Sequence, residues 1–337
     1  MHHYTAVTAN TFSDNTQQNF TWQVEIPSIA YEAQYLMDAI LAVSALHLRA
    51  LQPHDRSLVN ASHSYMASSL AQYSALLGDG LNANNAEALF STAALIAFQA
   101  SASRRFDDEQ AGGYVLPLSW FHSFQGVKTM VMASWQWLRN SNRVFPIINA
   151  QPALALVHPD LDSFFSPLLN GMKEQIQDLP DQEKMETKQA FEHAVAFLNW
   201  AHKKPDRNRI LGFAATVSRR FIELIENYDP RALVIISCFF AMTKVVDDVW
   251  WLKGVAKREV SGIFSIIPEK WHSSMDWPLR VVNHEGEMDA ETWGYNFTGK
   301  GMGSVEEDSL SEVIDLKAHI DLLAEIMNQS VAPPPPD

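Results

Sequence analysis

Two adjacent aspartates, Asp247 and Asp248 in "VVDDVWWLKG", are the residues most suggestive of chemistry. Carboxylate oxygens are hard ligands of the kind magnesium takes when it holds a diphosphate. A prenyl-diphosphate site needs a third acid one helical turn on, and that position is Trp251. The other pair, in "FDDEQ" at Phe106–Gln110, falls in an expected loop beside Gly112 and Gly113. No downstream metal box of Asn, Ser and Glu accompanies either pair. Metal-dependent ionisation of a diphosphate is therefore not expected, and Asp247 and Asp248 read as caps or solvated ends of a helix.

Other signatures are missing too. There is no GxSxG elbow, no Walker A loop and no HExxH. "GKGMGS" at Gly299–Ser304 is glycine-rich but follows no expected strand, as a phosphate loop would. The twelve His have no ligand spacing. The one cysteine, Cys238 in "LVIISCFFAM", allows neither an internal disulfide nor a cysteine metal cluster, and it reads as a small buried hydrophobe. The expectation is no metal and no cofactor.

What remains is apolar. Aromatic and Met side chains crowd two expected helices. Trp120, Phe124, Met132, Trp135 and Trp137 lie on Leu118–Arg139, and Phe239, Phe240, Met242, Trp250 and Trp251 on Arg231–Trp251. These ten are the ligand-binding candidates, although rings of this kind also fill ordinary cores. His122, Gln125, Thr243 and Lys253 are the polar groups that could orient a carbonyl, and they are weak catalytic candidates.

The elements that would position them are helices. Ala30–Leu51 is apolar nearly all round, between Pro27 and Pro53. His54–Leu77, Asn84–Ser103, Asp181–Lys204 and Ile210–Tyr228 carry helical periodicity. Arg231–Ile267 is another apolar stretch, with interruptions expected near Gly254 or Gly262, and "WHSSMDWP" reads as a tryptophan-rich turn. Ser309–Gln329 is expected to be the last helix, after an irregular Asn283–Ser304. No stretch alternates as a strand would. The fold expected is all-α, a single helical bundle domain over residues 1–330 with a Pro-rich tail at 331–337.

Composition narrows the function classes. The 337 residues are 47% hydrophobic and 19% charged, with a formal net charge of −14. Such an acidic chain repels phosphate backbones, so direct nucleic-acid binding is not expected. No stretch reaches the roughly 20 apolar residues of a membrane span, and "MHHYTAVTANTFSDN" is polar where a leader would be apolar. An intracellular location is expected, cytoplasmic, or nuclear for a regulator.

Several phrases together resemble a known family. "YDPRALVIISCFFAMTKVVDDVWWLKG", "IPEKWHSSMDWP", "MHHYTAVTANTF", "LMDAILAVSALHL" and "WFHSFQGVKTMV" are similar to the C-terminal effector domain of fungal zinc-cluster (Zn2Cys6) transcription factors. The resemblance runs from His3 to Pro278 and is closest to the sterol-uptake regulators. It implies a helical bundle with a deep hydrophobic pocket, filled by ergosterol in the sterol-responsive members, and no catalytic residues. The family's DNA-reading cluster needs six cysteines, and one is present.

Two functions follow as expectations. The preferred one is a stand-alone hydrophobic-ligand-binding protein acting as a cofactor-free cyclase of the Diels–Alder type. Its substrate would be a terpenoid or polyketide intermediate of fungal secondary metabolism, held in a reactive fold. The start at Met1 fits a separately encoded domain and favours that reading. The alternative is the sterol- or lipid-sensing effector domain of a zinc-cluster regulator. Either way the partner is a hydrophobic small molecule (terpenoid, sterol or polyketide), with a homodimer left open.

Overall fold

The structure, a computed structural model, describes residues 1–106, 113–149 and 164–294. Among the described residues every regular element is helical. The helices of eight residues or more are α1 (Gln34–Leu51), α2 (Arg56–Asp79), α3 (Ala86–Ser103), α4 (Leu118–Leu138), α5 (Asp181–Lys203), α6 (Arg207–Thr216), α7 (Arg219–Glu226), α8 (Pro230–Met242), α9 (Val255–Ile266) and α10 (Asp276–Asn283). The all-α expectation holds. The expected helix at Ser309–Gln329, the tail at 331–337, "GKGMGS" and the aspartates of "FDDEQ" lie outside the described residues.

The described chain falls into two compact units. The first holds Met1–Ala102 and residues 123–149, and thus α1, α2, most of α3 and the larger part of α4. Short turns over Tyr4–Ala30, two of them π-helical, lead into α1. α1 buries Leu36, Ile40, Val43 and Leu46, an apolar stripe at helical spacing. α2 turns only Ser62, Met66 and Ser69 fully inward, at i, i+4 and i+7. Serine is small enough to let two helices approach closely. The Ser62 hydroxyl donates to Ala42 O at 3.0 Å and the Ser69 hydroxyl to Tyr35 O at 2.7 Å, both on α1.

Asp38 lies buried on α1. Its carboxylate accepts from Gln34 Nε2 at 2.8 Å, Ser68 Oγ at 2.7 Å and Gln72 Nε2 at 3.1 Å. A buried carboxylate without donors would cost several kcal/mol, on the order of the desolvation penalty; three neutral donors satisfy this one.

The second unit holds residues 103–106, 113–122 and 164–294. Its centre is α8, where every residue from Arg231 to Met242 is buried. Pro230 sits in the first turn, where its missing N–H is harmless. Asp229 caps the helix by accepting from Ala232 N at 2.9 Å. Burial raises the Asp229 carboxyl above the usual carboxylate range, and those cap bonds, with Arg231 and Gln175, oppose the rise.

One departure from the sequence reading, and one expected interruption, have local causes. Ile210–Tyr228 is not one helix. Val217 and Ser218 are extended, and the Ser218 hydroxyl accepts from Phe221 N at 3.2 Å, which starts α7. The break in Arg231–Ile267 falls at residues 243–254, closing on Gly254 at φ +82°, whereas Gly262 stays helical within α9. "WHSSMDWP" is a 3-10 turn over Glu269–Met275 running into α10.

Candidate functional site

The second unit gathers six of the sequence candidates. Trp120, on the first turn of α4, is fully buried, as are Phe239, Phe240 and Met242 on α8. The Trp120 ring meets Phe239 and Phe240 edge-on, with centroids 6.1 and 5.5 Å apart. Phe121 joins both, and Phe213 from α6 stacks on Phe239 at 4.8 Å. The result is an aromatic knot in which edge-to-face pairs add to area burial. Trp251 is buried and Trp250 half-buried, and the Trp250 carbonyl accepts a hydrogen bond from Arg105.

The remaining ring candidates belong to the first unit. Trp135 is buried, its ring 6.2 Å from Phe145, while Phe124, Met132 and Trp137 are half-buried.

The polar candidates are placed less favourably for chemistry. Thr243 is buried at the end of α8, and its hydroxyl donates back to Phe240 O at 2.7 Å. His122 is exposed, with Nε2 2.8 Å from Glu226 Oε1. Lys253 is exposed. The Gln125 carbonyl accepts from Thr129 Oγ1 at 2.9 Å. The aspartates of "VVDDVWWLKG" sit in ion pairs. Asp247 Oδ2 is 3.5 Å from Lys244 Nζ, and Asp248 Oδ1 is 3.6 Å from Arg207.

Two buried polar groupings of the second unit lay beyond the sequence reading. In one, Glu259 on α9 is fully buried and takes the Arg104 guanidinium at two points, 2.8 and 2.9 Å. The Tyr114 hydroxyl donates to the same carboxylate at 2.7 Å. Burial first, and the Glu259 charge second, push the Tyr114 hydroxyl far above the ordinary tyrosine range. The Tyr114 ring lies against Gly262, where a β-carbon would come 2.0 Å from ring carbon Cδ2. The signal in the sequence is a Glu at an apolar position of α9, in the register of Val255, Gly262 and Ile263.

In the other, His202 is sandwiched between Phe164 at 4.5 Å and Trp293 at 4.8 Å, both rings nearly parallel to it. Its Nε2 is 3.0 Å from Trp293 O, which also accepts from Trp277 Nε1 at 2.9 Å, and Trp293 Nε1 donates to His202 O at 3.1 Å. Burial lowers the His202 pKa to about 4, and the bond to Trp293 opposes that shift. A neutral His202 donates through Nε2 in this arrangement.

Among the described residues no helix is long and apolar enough to cross a membrane. No protein-family model matches the chain. Individual relatives do. A Zn(2)-C6 fungal-type transcription factor of Gibberella zeae is 44% identical over 353 aligned residues, covering 100% of this chain and 71% of that protein. Sterol uptake control protein 2 of Candida albicans is 24% identical, over 96% of this chain and 48% of its own length. Sterol uptake control protein 2 of Saccharomyces cerevisiae is also 24% identical, over 70% of this chain and 26% of its own length. The chain thus spans about half of the Candida protein and about a quarter of the Saccharomyces one. With 44% identity along its whole length to a member that it covers by 71%, this chain belongs to the fungal Zn(2)-C6 transcription factors.

Proposed function

We infer that the chain is the ligand-sensing effector part of a fungal Zn(2)-C6 regulator and acts in the nucleus. Its ligand is a hydrophobic small molecule of the sterol kind, and binding shifts a conformational balance that is read out as transcription. The observation that carries this is family membership together with two relatives named for the control of sterol uptake. The aromatic knot of Trp120, Phe239 and Phe240 suits an apolar ring system, and Met242, Trp250 and Trp251 are the further candidates of this unit. Phe124, Met132, Trp135 and Trp137 are the corresponding candidates of the other unit. The single cysteine, Cys238, is buried, and burial raises its thiol above the usual range, so these residues do not supply the six thiolates of a Zn2Cys6 cluster.

The cyclase expectation gains no supporting observation. His122 and Lys253 are exposed, and the relatives are named as regulators. The test joins this chain to an unrelated DNA-binding domain in a yeast reporter strain, with sterol supply raised and lowered. Reporter output that follows the supply is expected. Output indifferent to sterol, together with no thermal shift of the purified chain on sterol addition, would overturn the reading.

A further inference from the structure

We propose that Trp120 is a hydrogen-bond anchor for a neutral oxygen, hydroxyl or carbonyl, on an otherwise apolar ligand. The inference rests on the ligand-sensing reading and deepens it.

Trp120 is fully buried, yet its Nε1 finds no acceptor among the described residues. The two other buried indoles for which bonds are given in this unit behave differently. Trp277 donates to Trp293 O at 2.9 Å and Trp293 to His202 O at 3.1 Å. A buried donor left unmade is costly, and native structures seldom keep one without a water or a ligand to meet it. An indole N–H only donates, so the missing partner is an acceptor. The neighbouring rings, Phe239 and Phe240, bring no positive charge to offset the desolvation of an anion. That leaves a neutral oxygen, from a ligand or from water. A ligand combining a broad apolar body with one hydroxyl or carbonyl matches both halves of the surroundings. The same N–H adds specificity, because a ligand lacking the oxygen leaves the donor unmade.

The experiment uses the full chain and two probes, cholesterol and cholest-5-ene, which differ by one hydroxyl. Affinities are measured by displacement of a fluorescent sterol, for wild type and for Trp120→Phe. Wild type is expected to prefer cholesterol about tenfold, the worth of one net hydrogen bond, and the variant to bind both probes alike at the cholest-5-ene level. Equal affinities in wild type, or a preference that survives in Trp120→Phe, would overturn the anchor and leave the N–H to water. If neither probe binds wild type, the sterol-sensing reading fails and the anchor falls with it. Should Trp120→Phe not fold, the sulfur isostere of tryptophan at position 120 keeps the ring shape, lacks the donor, and faces the same outcomes.

Discussion

Removing the Glu259 carboxylate should be among the most damaging single changes to the second unit. In Glu259→Ala the Arg104 guanidinium, whose side chain is 7% exposed, loses bonds at 2.8 and 2.9 Å. Arg104 keeps its 2.7 Å bond to Val115 O. Tyr114 loses its acceptor as well. Breaking one side of a buried pair costs about 3–5 kcal/mol, because it strands the other charge. For a domain of this size that lowers the melting temperature by roughly 10 °C. The double variant Arg104→Met with Glu259→Leu removes the Arg104–Glu259 pair and fills the space with apolar atoms, leaving Arg258, whose Nε lies 3.5 Å from Glu259 Oε1, as the remaining charge. It is expected to be about 2 kcal/mol or more better than Glu259→Ala alone. Urea unfolding of wild type, Arg104→Met, Glu259→Leu and the double variant gives the coupling, with Glu259→Ala measured beside them. Additive losses, or a Glu259→Ala loss under about 1 kcal/mol, would refute the reasoning that the pair is costly only when broken.

Other consequences are as specific. The folded chain holds His202 neutral down to about pH 4, whereas the unfolded chain protonates near the ordinary value of 6.5. The stabilisation is therefore complete above about pH 6.5 and is lost as pH falls from there to 4, by up to about 3 kcal/mol; urea midpoints between pH 7 and 4 should fall in wild type and fall less in His202→Gln. Gly262→Ala puts a β-carbon 2.0 Å from the Tyr114 ring, so it should cost about 1–3 kcal/mol in the same assay despite alanine's better helix propensity. Phe239→Ala should cost about 3–5 kcal/mol, and Lys253→Ala within about 0.5 kcal/mol, because one is in the knot and the other in water.

The fold was legible where period and punctuation agree. Pro53 and Gly80 bound α2, and the apolar run after Asp229 starts α8, but α8 stops at Met242 and leaves Trp250 and Trp251, expected on the same helix, in the turns that follow. The α6–α7 break was not legible, because it uses neither Pro nor Gly. A serine cap competes there with a continuing helical period, and the backbone resolves the competition. Within the aromatic knot, Trp120, Phe239 and Phe240 could be listed from density of rings, but Phe213 and Phe121 needed the packing of α6 and α4. Glu259 and His202 escaped notice for a common reason. Each sits at an apolar position of its own helix, and only distant partners, Arg104 and Trp293, explain its presence.

Asp38 has a further meaning for assembly. Apart from it and the Ser62 and Ser69 hydroxyls, which can find other carbonyls along a helix, α1 and α2 meet through apolar groups, and such surfaces resist a one-turn slide only weakly. A one-turn slip moves Ser68 and Gln72 about 5.4 Å from the carboxylate and leaves it Gln34, on its own helix, in place of three donors. The acid therefore acts as an indexing pin. It adds little to the depth of the native minimum, but it raises the energy of misaligned neighbours, so this helical hairpin has one alignment to find.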